Sequence, residues 1–160
     1  MIYYVFKENK VYGATEFQEL TNDIALINNL EEYEIGTTEF EDYHPSNNKY
    51  LFQDGEIVLN PNYEEELAQK ERERIAKLYL TGADVERGIY QAKGMDFDDI
   101  LAFVSANPPE GLDIKALKIE LKANNFYRGN PYVSAIGQLL GFSEDQLNQF
   151  FETNDYKVLI

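Results

Sequence analysis

The secondary-structure signals change at Asn60-Pro61, and this change restricts the possible folds more than any other feature. Before it, short runs of β-branched and aromatic residues alternate with polar turns, which is typical of hairpins. After it, apolar residues recur at helical spacing behind residues that cap helix N-termini. The sequence therefore predicts an α+β fold with a β-rich, acidic subdomain over residues 1–60 and a helical subdomain over residues 61–160.

Two hairpins are predicted in the first subdomain. Asp54-Gly55 separates the apolar runs 49–52 and 56–59 and supplies the positive φ angles of a tight turn. The run 2–6 breaks at a polar loop and resumes at Val11-Tyr12. These runs predict an antiparallel meander of about four short strands. A short helix is also predicted within residues 17–30.

The second subdomain is expected to be a bundle of about six helices. Asn60-Pro61 predicts the start of a long helix, because Asn accepts the first backbone N–H bonds and Pro fits the first turn. Five shorter helices are predicted from their capping residues Thr81, Asp96, Asp113, Asn130 and Ser143.

Composition excludes several classes of function. The 160 residues carry 29 acidic and 14 basic side chains, a net charge of -15, which argues against direct binding of nucleic acid or anionic membrane. The absence of Cys and the single His exclude disulfides and the common zinc sites. No apolar run predicts a membrane helix or a signal peptide, so we expect a cytoplasmic protein with a basic partner.

The acidic charge is densest between Lys10 and Lys49, where nine carboxylates and no Lys or Arg occur. Such a run often only keeps a protein soluble. Interleaved with aromatic residues, it is also typical of a surface that occupies a basic groove, since charge steers the encounter and aromatic rings anchor it. The candidate partner-binding residues are Glu31, Glu32, Tyr33, Glu34, Glu39, Phe40, Glu41, Asp42 and Tyr43.

A second candidate contact lies in residues 124–132, which combine three aromatic residues, an arginine and turn residues. Tyr127 and Arg128 are candidate anchors for a partner, since Tyr and Arg dominate interface hot spots. The alternative, which we favour, is structural: Phe126 and Tyr132 close the core of the bundle.

No motif indicates catalysis, a metal or a cofactor. Asp96, Asp98 and Asp99 lack the spacing of a calcium loop and are explained as a helix start. His44 can act as a base, but no nucleophile motif, phosphate-binding loop or dinucleotide fingerprint accompanies it. We therefore expect a binding protein rather than an enzyme.

Residues 70–150 resemble small proteins encoded in bacteriophage and prophage genomes. The resemblance is carried by residues 74–87, 95–100 and 119–132, which include Leu80-Thr81-Gly82-Ala83-Asp84, Met95-Asp96-Phe97-Asp98-Asp99 and Phe126-Tyr127-Arg128-Gly129-Asn130-Pro131. It implies one of two roles. The first is an anti-CRISPR-like inhibitor that occupies a basic surface of an RNA-guided nuclease in the bacterial host cytoplasm. The second is a structural or assembly protein that binds phage tail or baseplate proteins.

Overall fold

The computed structural model describes residues 1–160 and has a mixed α+β fold, as predicted. The chain divides into two compact units, Met1–Ala68 (unit 1) and Gln69–Ile160 (unit 2). The division falls at residue 68 rather than residue 60, because the helix that begins after Asn60 crosses it.

Unit 1 is built mainly from strands. Its elements are β1 (Ile2–Lys7), β2 (Lys10–Thr15), a 3₁₀ turn (Gln18–Leu20), α1 (Thr21–Ile27), β3 (Glu34–Thr38), β4 (Tyr50–Gln53) and β5 (Glu56–Leu59). Both predicted hairpins are confirmed: β1 pairs with β2 and β4 with β5, all antiparallel. Asp54 and Gly55 have φ angles of 51° and 88°, as the tight turn requires.

The strand β3 was not predicted, and it changes the topology of unit 1. It pairs with the free side of β1, which gives the sheet order β2-β1-β3. The sequence gives no clear strand signal here, because Glu34-Ile35-Gly36-Thr37-Thr38 has a single large apolar residue within an acidic segment. Pairing with the buried central strand, rather than local propensity, determines this strand.

The two faces of β1 are both covered. Ile2, Tyr4 and Phe6 pack with residues of the β4–β5 hairpin and the preceding loop in an aromatic cluster. The opposite face lies beneath α1, where Val5 and Ala25 are buried and Gly13 lies against Ile24. Unit 1 therefore has a small core with many tyrosine rings.

The six helices predicted after Pro61 are confirmed. The helices are α2 (Tyr63–Ala76), α3 (Gly82–Lys93), α4 (Phe97–Ala106), α5 (Ile114–Glu120), α6 (Pro131–Leu139) and α7 (Glu144–Thr153). The side chains of all five predicted capping residues accept backbone N–H bonds at the helix starts. The long helix α2 begins at Tyr63, two residues after Pro61, and buries none of its residues. None of the helices combines the length and the apolar character that a membrane span requires.

Unit 2 also contains a short ribbon of β6 (Tyr79–Thr81) and β7 (Asn125–Tyr127), which the sequence did not predict. Its core consists of aliphatic residues and phenylalanines, with Ile100, Leu117 and Phe150 among the most buried. Phe126 is buried in this core, and the half-buried Tyr132 packs against it, as the structural interpretation of residues 124–132 expected.

Candidate functional site

The unpredicted strand β3 divides the predicted acidic surface into two groups. Glu31, Glu32, Tyr33 and Glu34 lie at its start, whereas residues 39–43 follow its end. Because a strand rises about 3.3 Å per residue, the ends of β3 lie about 13 Å apart. The carboxylates therefore form two separate patches at opposite ends of one strand.

In the first group the charged residues face solvent. Glu31, Glu32 and Glu34 are exposed, and none of them forms an ion pair. The half-buried Tyr33 donates its hydroxyl hydrogen to Asn22 Oδ1 of α1 at 2.5 Å. This hydrogen bond fixes the segment against α1 and leaves the three carboxylates available.

In the second group only part of the predicted surface is accessible. Glu39 and Glu41 are exposed and form no ion pair. Phe40 is half-buried and its ring packs against the Tyr50 ring at a tilt of 31°, with centroids 4.7 Å apart. Tyr43 is only 8% exposed within the aromatic cluster, so it serves the core of unit 1 rather than a contact with a partner.

Asp42 is exposed, but its carboxylate is already hydrogen-bonded to other residues of unit 1. Its carboxylate accepts hydrogen bonds from the Lys49 ammonium and from the Tyr50 hydroxyl. These bonds hold the pKa of Asp42 below its usual range. The bond to Asp42 also raises the pKa of Lys49 and that of Tyr50. The network ties the loop before β4 to the hairpin, which is a structural role.

Burial also perturbs two tyrosines of the aromatic cluster. Desolvation raises the pKa of Tyr43 to about 12 and raises that of Tyr4, whose hydroxyl donates to the Gly55 carbonyl at 2.8 Å. Both groups are neutral at physiological pH. The exposed charge of unit 1 therefore comes mainly from its carboxylates.

The charge of the two units differs strongly. Met1–Ala68 contains fifteen acidic residues and three lysines, a net charge of -12, whereas Gln69–Ile160 contains fourteen acidic and eleven basic residues, a net charge of -3. Most of the charge of the chain thus belongs to its smaller unit. A basic partner is attracted mainly to unit 1.

Tyr127 and Arg128 lie in unit 2 and have different environments. Tyr127 is 52% exposed and forms a cross-strand pair with the equally exposed Tyr79, at 5.7 Å between ring centroids. Arg128 is buried: Nε donates to Asn148 Oδ1 at 2.7 Å, Nη1 to Ser134 Oγ at 3.0 Å, and Nη2 to Glu144. We therefore assign Arg128 to the fold of unit 2 rather than to a contact with a partner.

His44 has a neighbour that the sequence did not reveal. Its Nδ1 lies 2.7 Å from Ser46 Oγ and also accepts the Ser46 backbone N–H at 3.2 Å. Both residues are exposed, and the two contacts belong to one local turn, since the residues are two positions apart. No group of three or more His, Asp or Glu side chains with metal-binding geometry is found.

Comparison with protein-family models, with curated proteins and with solved structures found no match. The assignment of the candidate surface therefore depends on its chemistry alone. It comprises Glu31, Glu32 and Glu34 at the start of β3 and Glu39 and Glu41 at its end. We call this set the divided acidic surface.

Sequence reasoning missed two aspects of these surfaces. It did not separate the carboxylates into two patches, because β3 was hidden in the acidic segment. It also did not connect Tyr127 with Tyr79, because the pairing of β6 with β7 joins residues far apart in the sequence. No local signal reports either arrangement, since both depend on pairing between distant strands.

Proposed function

We propose that this protein is a non-enzymatic inhibitor whose divided acidic surface occupies a basic, nucleic-acid-binding surface of a host RNA-guided nuclease. The proposal is supported by one main observation: the five carboxylates of the divided acidic surface are exposed and form no ion pair. Carboxylates presented in this way replace phosphates in a groove lined with Lys and Arg. The choice of an RNA-guided nuclease rests on the resemblance to small phage proteins and is part of the proposal.

The spacing of the two patches supports a groove rather than a point contact. The ends of β3 lie about 13 Å apart along the backbone, which is comparable to the axial rise of roughly four nucleotides of one DNA strand at 3.4 Å per nucleotide. The hydrogen bond of Tyr33 and the packing of Phe40 against Tyr50 restrain the backbone of the two segments. The backbone of these segments therefore loses little conformational freedom on binding.

Charge-reversal variants of the full chain test this proposal. One variant is Glu31→Lys with Glu32→Lys, which reverses the first patch, and another is Glu39→Lys with Glu41→Lys, which reverses the second. A matched control, Glu73→Lys with Glu110→Lys, reverses two exposed carboxylates of unit 2. All three variants change the net charge by the same amount. Their affinities for guide-RNA-loaded nucleases purified from host bacteria are measured over a range of salt concentrations.

We expect both unit 1 variants to bind at least about tenfold more weakly than the natural chain, and to depend less on salt. The unit 2 control should bind as the natural chain does. Equal weakening in all three variants would mean that net charge alone matters. If neither unit 1 variant weakens binding, or if no loaded nuclease binds the natural chain, the proposal is refuted.

An alternative is a structural or assembly role in a phage tail, in which strands of unit 1 add to a partner sheet. The observation that favours it is that β2 lies at the edge of its sheet. Mass spectrometry of purified virions and of assembly intermediates tests it directly. Detection at a stoichiometric level would support this role, and absence from both would contradict it.

A further inference from the structure

A groove follows the outer edge of β2 in unit 1. It has a volume of about 430 Å³ and lies between α1 on one side and a loop on the other. Its lining comprises Tyr12, Gly13 and Ala14 from the strand, Ile24, Ile27 and Asn28 from α1 and the end that follows it, and His44, Pro45 and Ser46 from the loop. An edge strand that forms the floor of a groove is the arrangement that binds extended peptides in several peptide-recognition domains.

The edge of β2 is accessible along only part of its length. The register with β1 shifts opposite Tyr12, which forms a bulge, and the Lys10 ammonium lies over the Tyr12 ring at 4.8 Å. A bulge and a lysine are devices that prevent edge-to-edge pairing. The remaining part, from Gly13 to Thr15, continues in regular register and offers its outward backbone groups to another strand.

The charge around the accessible part indicates the occupant. Glu16 follows the last residue of β2, Glu19 lies in the next turn, and Asp23 lies one helical turn before Ile27 on α1. All three are exposed and none forms an ion pair. None of them lines the groove itself, so a strand seated beside Gly13 and Ala14 approaches Glu16 only where it continues past Thr15, and Asp23 where it follows α1 away from Ile27.

We propose that this groove binds an extended, basic segment of the partner protein, which adds as a fourth strand beside β2. The backbone groups of residues 13–15 that point away from β1 provide the pairing, and Ile24 and Ile27 receive an apolar side chain. Glu16, Glu19 and Asp23, which lie outside the lining, attract the lysines or arginines of the segment. A second copy of this chain is disfavoured as the occupant, because unit 1 has a net charge of -12 and two copies of it repel each other. The inference deepens the proposed function, on which it rests, by naming the conformation and charge of the segment recognised.

The probe is a synthetic peptide in which lysine alternates with valine, a pattern that favours an extended strand. One control peptide replaces the valines with prolines, which cannot donate backbone hydrogen bonds, and another replaces the lysines with glutamates. Binding to the full chain is followed by NMR of backbone amides and by their hydrogen exchange. We expect the lysine–valine peptide alone to shift amides of residues 13–15 and to protect those whose N–H points away from β1.

Two variants of α1 provide a matched comparison. Ile27→Arg places a positive charge in the lining of the groove, whereas Leu26→Arg makes the same change next to it but outside the lining. Ile27 and Leu26 are 80% and 73% exposed, so neither change disturbs the core. We expect Ile27→Arg to weaken peptide binding by about tenfold or more and Leu26→Arg to weaken it much less.

Four other results of these experiments would each overturn the inference for a different reason. If the peptide shifts amides of the divided acidic surface but none in β2, the electrostatic proposal survives and the edge site does not exist. Equal binding of the proline peptide would exclude strand addition. If the chain alone dimerises in sedimentation experiments and protects residues 13–15, the occupant is a second copy. If the peptide shifts no amide, the edge inference fails, while the nuclease-binding experiment still decides the proposed function separately.

Discussion

Both units place a large aromatic ring over a glycine, but the rings differ in chemistry. In unit 1 the Tyr4 ring lies against Gly36 of β3, and its hydroxyl is bonded to the Gly55 carbonyl. In unit 2 the Phe150 ring lies against Gly88 of α3, within a purely apolar cluster. The comparison shows that unit 1 closes its small core with hydroxyl groups, whereas unit 2 relies on apolar packing.

The largest expected effect is in the core of unit 2. Phe150→Ala should lower the free energy of unfolding by about 3–5 kcal/mol, because the cavity left by a buried ring cannot collapse fully. Urea unfolding with hydrogen exchange resolved by segment measures it. The control Phe103→Ala removes a ring that is 45% exposed and should cost less than about 1 kcal/mol. Equal loss of protection in both units would show that they unfold as one.

Two arginines of unit 2 test whether burial decides the value of a charge network. Arg128→Met should cost about 2–3 kcal/mol, since it removes three hydrogen bonds from a charged and buried group. Arg128→Lys should restore little, because an ammonium cannot reproduce the planar fork. Arg74 pairs with Glu71 and Glu152 at the surface, so Arg74→Ala should change the urea midpoint little. Equal losses at both sites would contradict this distinction.

Gly36 and Gly88, the two glycines that lie against aromatic rings, test how tightly each core is packed. Gly36→Ala and Gly88→Ala should each lower the free energy of unfolding by about 1–3 kcal/mol, since the added methyl group overlaps a ring. In thermal unfolding, Phe150→Leu should relieve the Gly88→Ala defect, so that the double variant is more stable than additivity predicts. Additive losses would mean that the ring already has room to move.

The smallest effect should separate the units by pH. Burial raises the pKa of Tyr43 to about 12 and that of Tyr4 above its usual value, so the folded unit 1 keeps protons that the unfolded chain releases near pH 10. This stabilisation is complete below pH 10 and disappears as the pH rises through about 12. Methyl NMR should show Ile57 of unit 1 losing its native signal before Ile100 of unit 2.

The variant Tyr43→Phe provides the control for this pH effect. It removes one titrating hydroxyl from the cluster and keeps the ring, so the loss of the Ile57 signal should begin at higher pH. If the Ile100 signal disappears first, the hydroxyl groups do not limit the alkaline stability of unit 1.

Much of the fold was predictable because its signals are local. Capping residues fixed the starts of five helices, and Asp54-Gly55 fixed the turn between β4 and β5, since these effects act within a few residues. The role of Arg128 was not predictable, because its three partners follow it in the helices α6 and α7. A sequence shows that an arginine is present but not whether distant acceptors surround it.

The sequence by itself determined the two hairpins, the six helices after Pro61 with their caps, and the concentration of negative charge in unit 1. Each depends on neighbouring residues or on a sum of charges. Only the tertiary structure decided that β3 pairs with β1, that the carboxylates form two patches and that β2 has an accessible edge. These features depend on pairing between distant segments, whose free energy comes from burying both faces of β1 rather than from the propensity of any one strand.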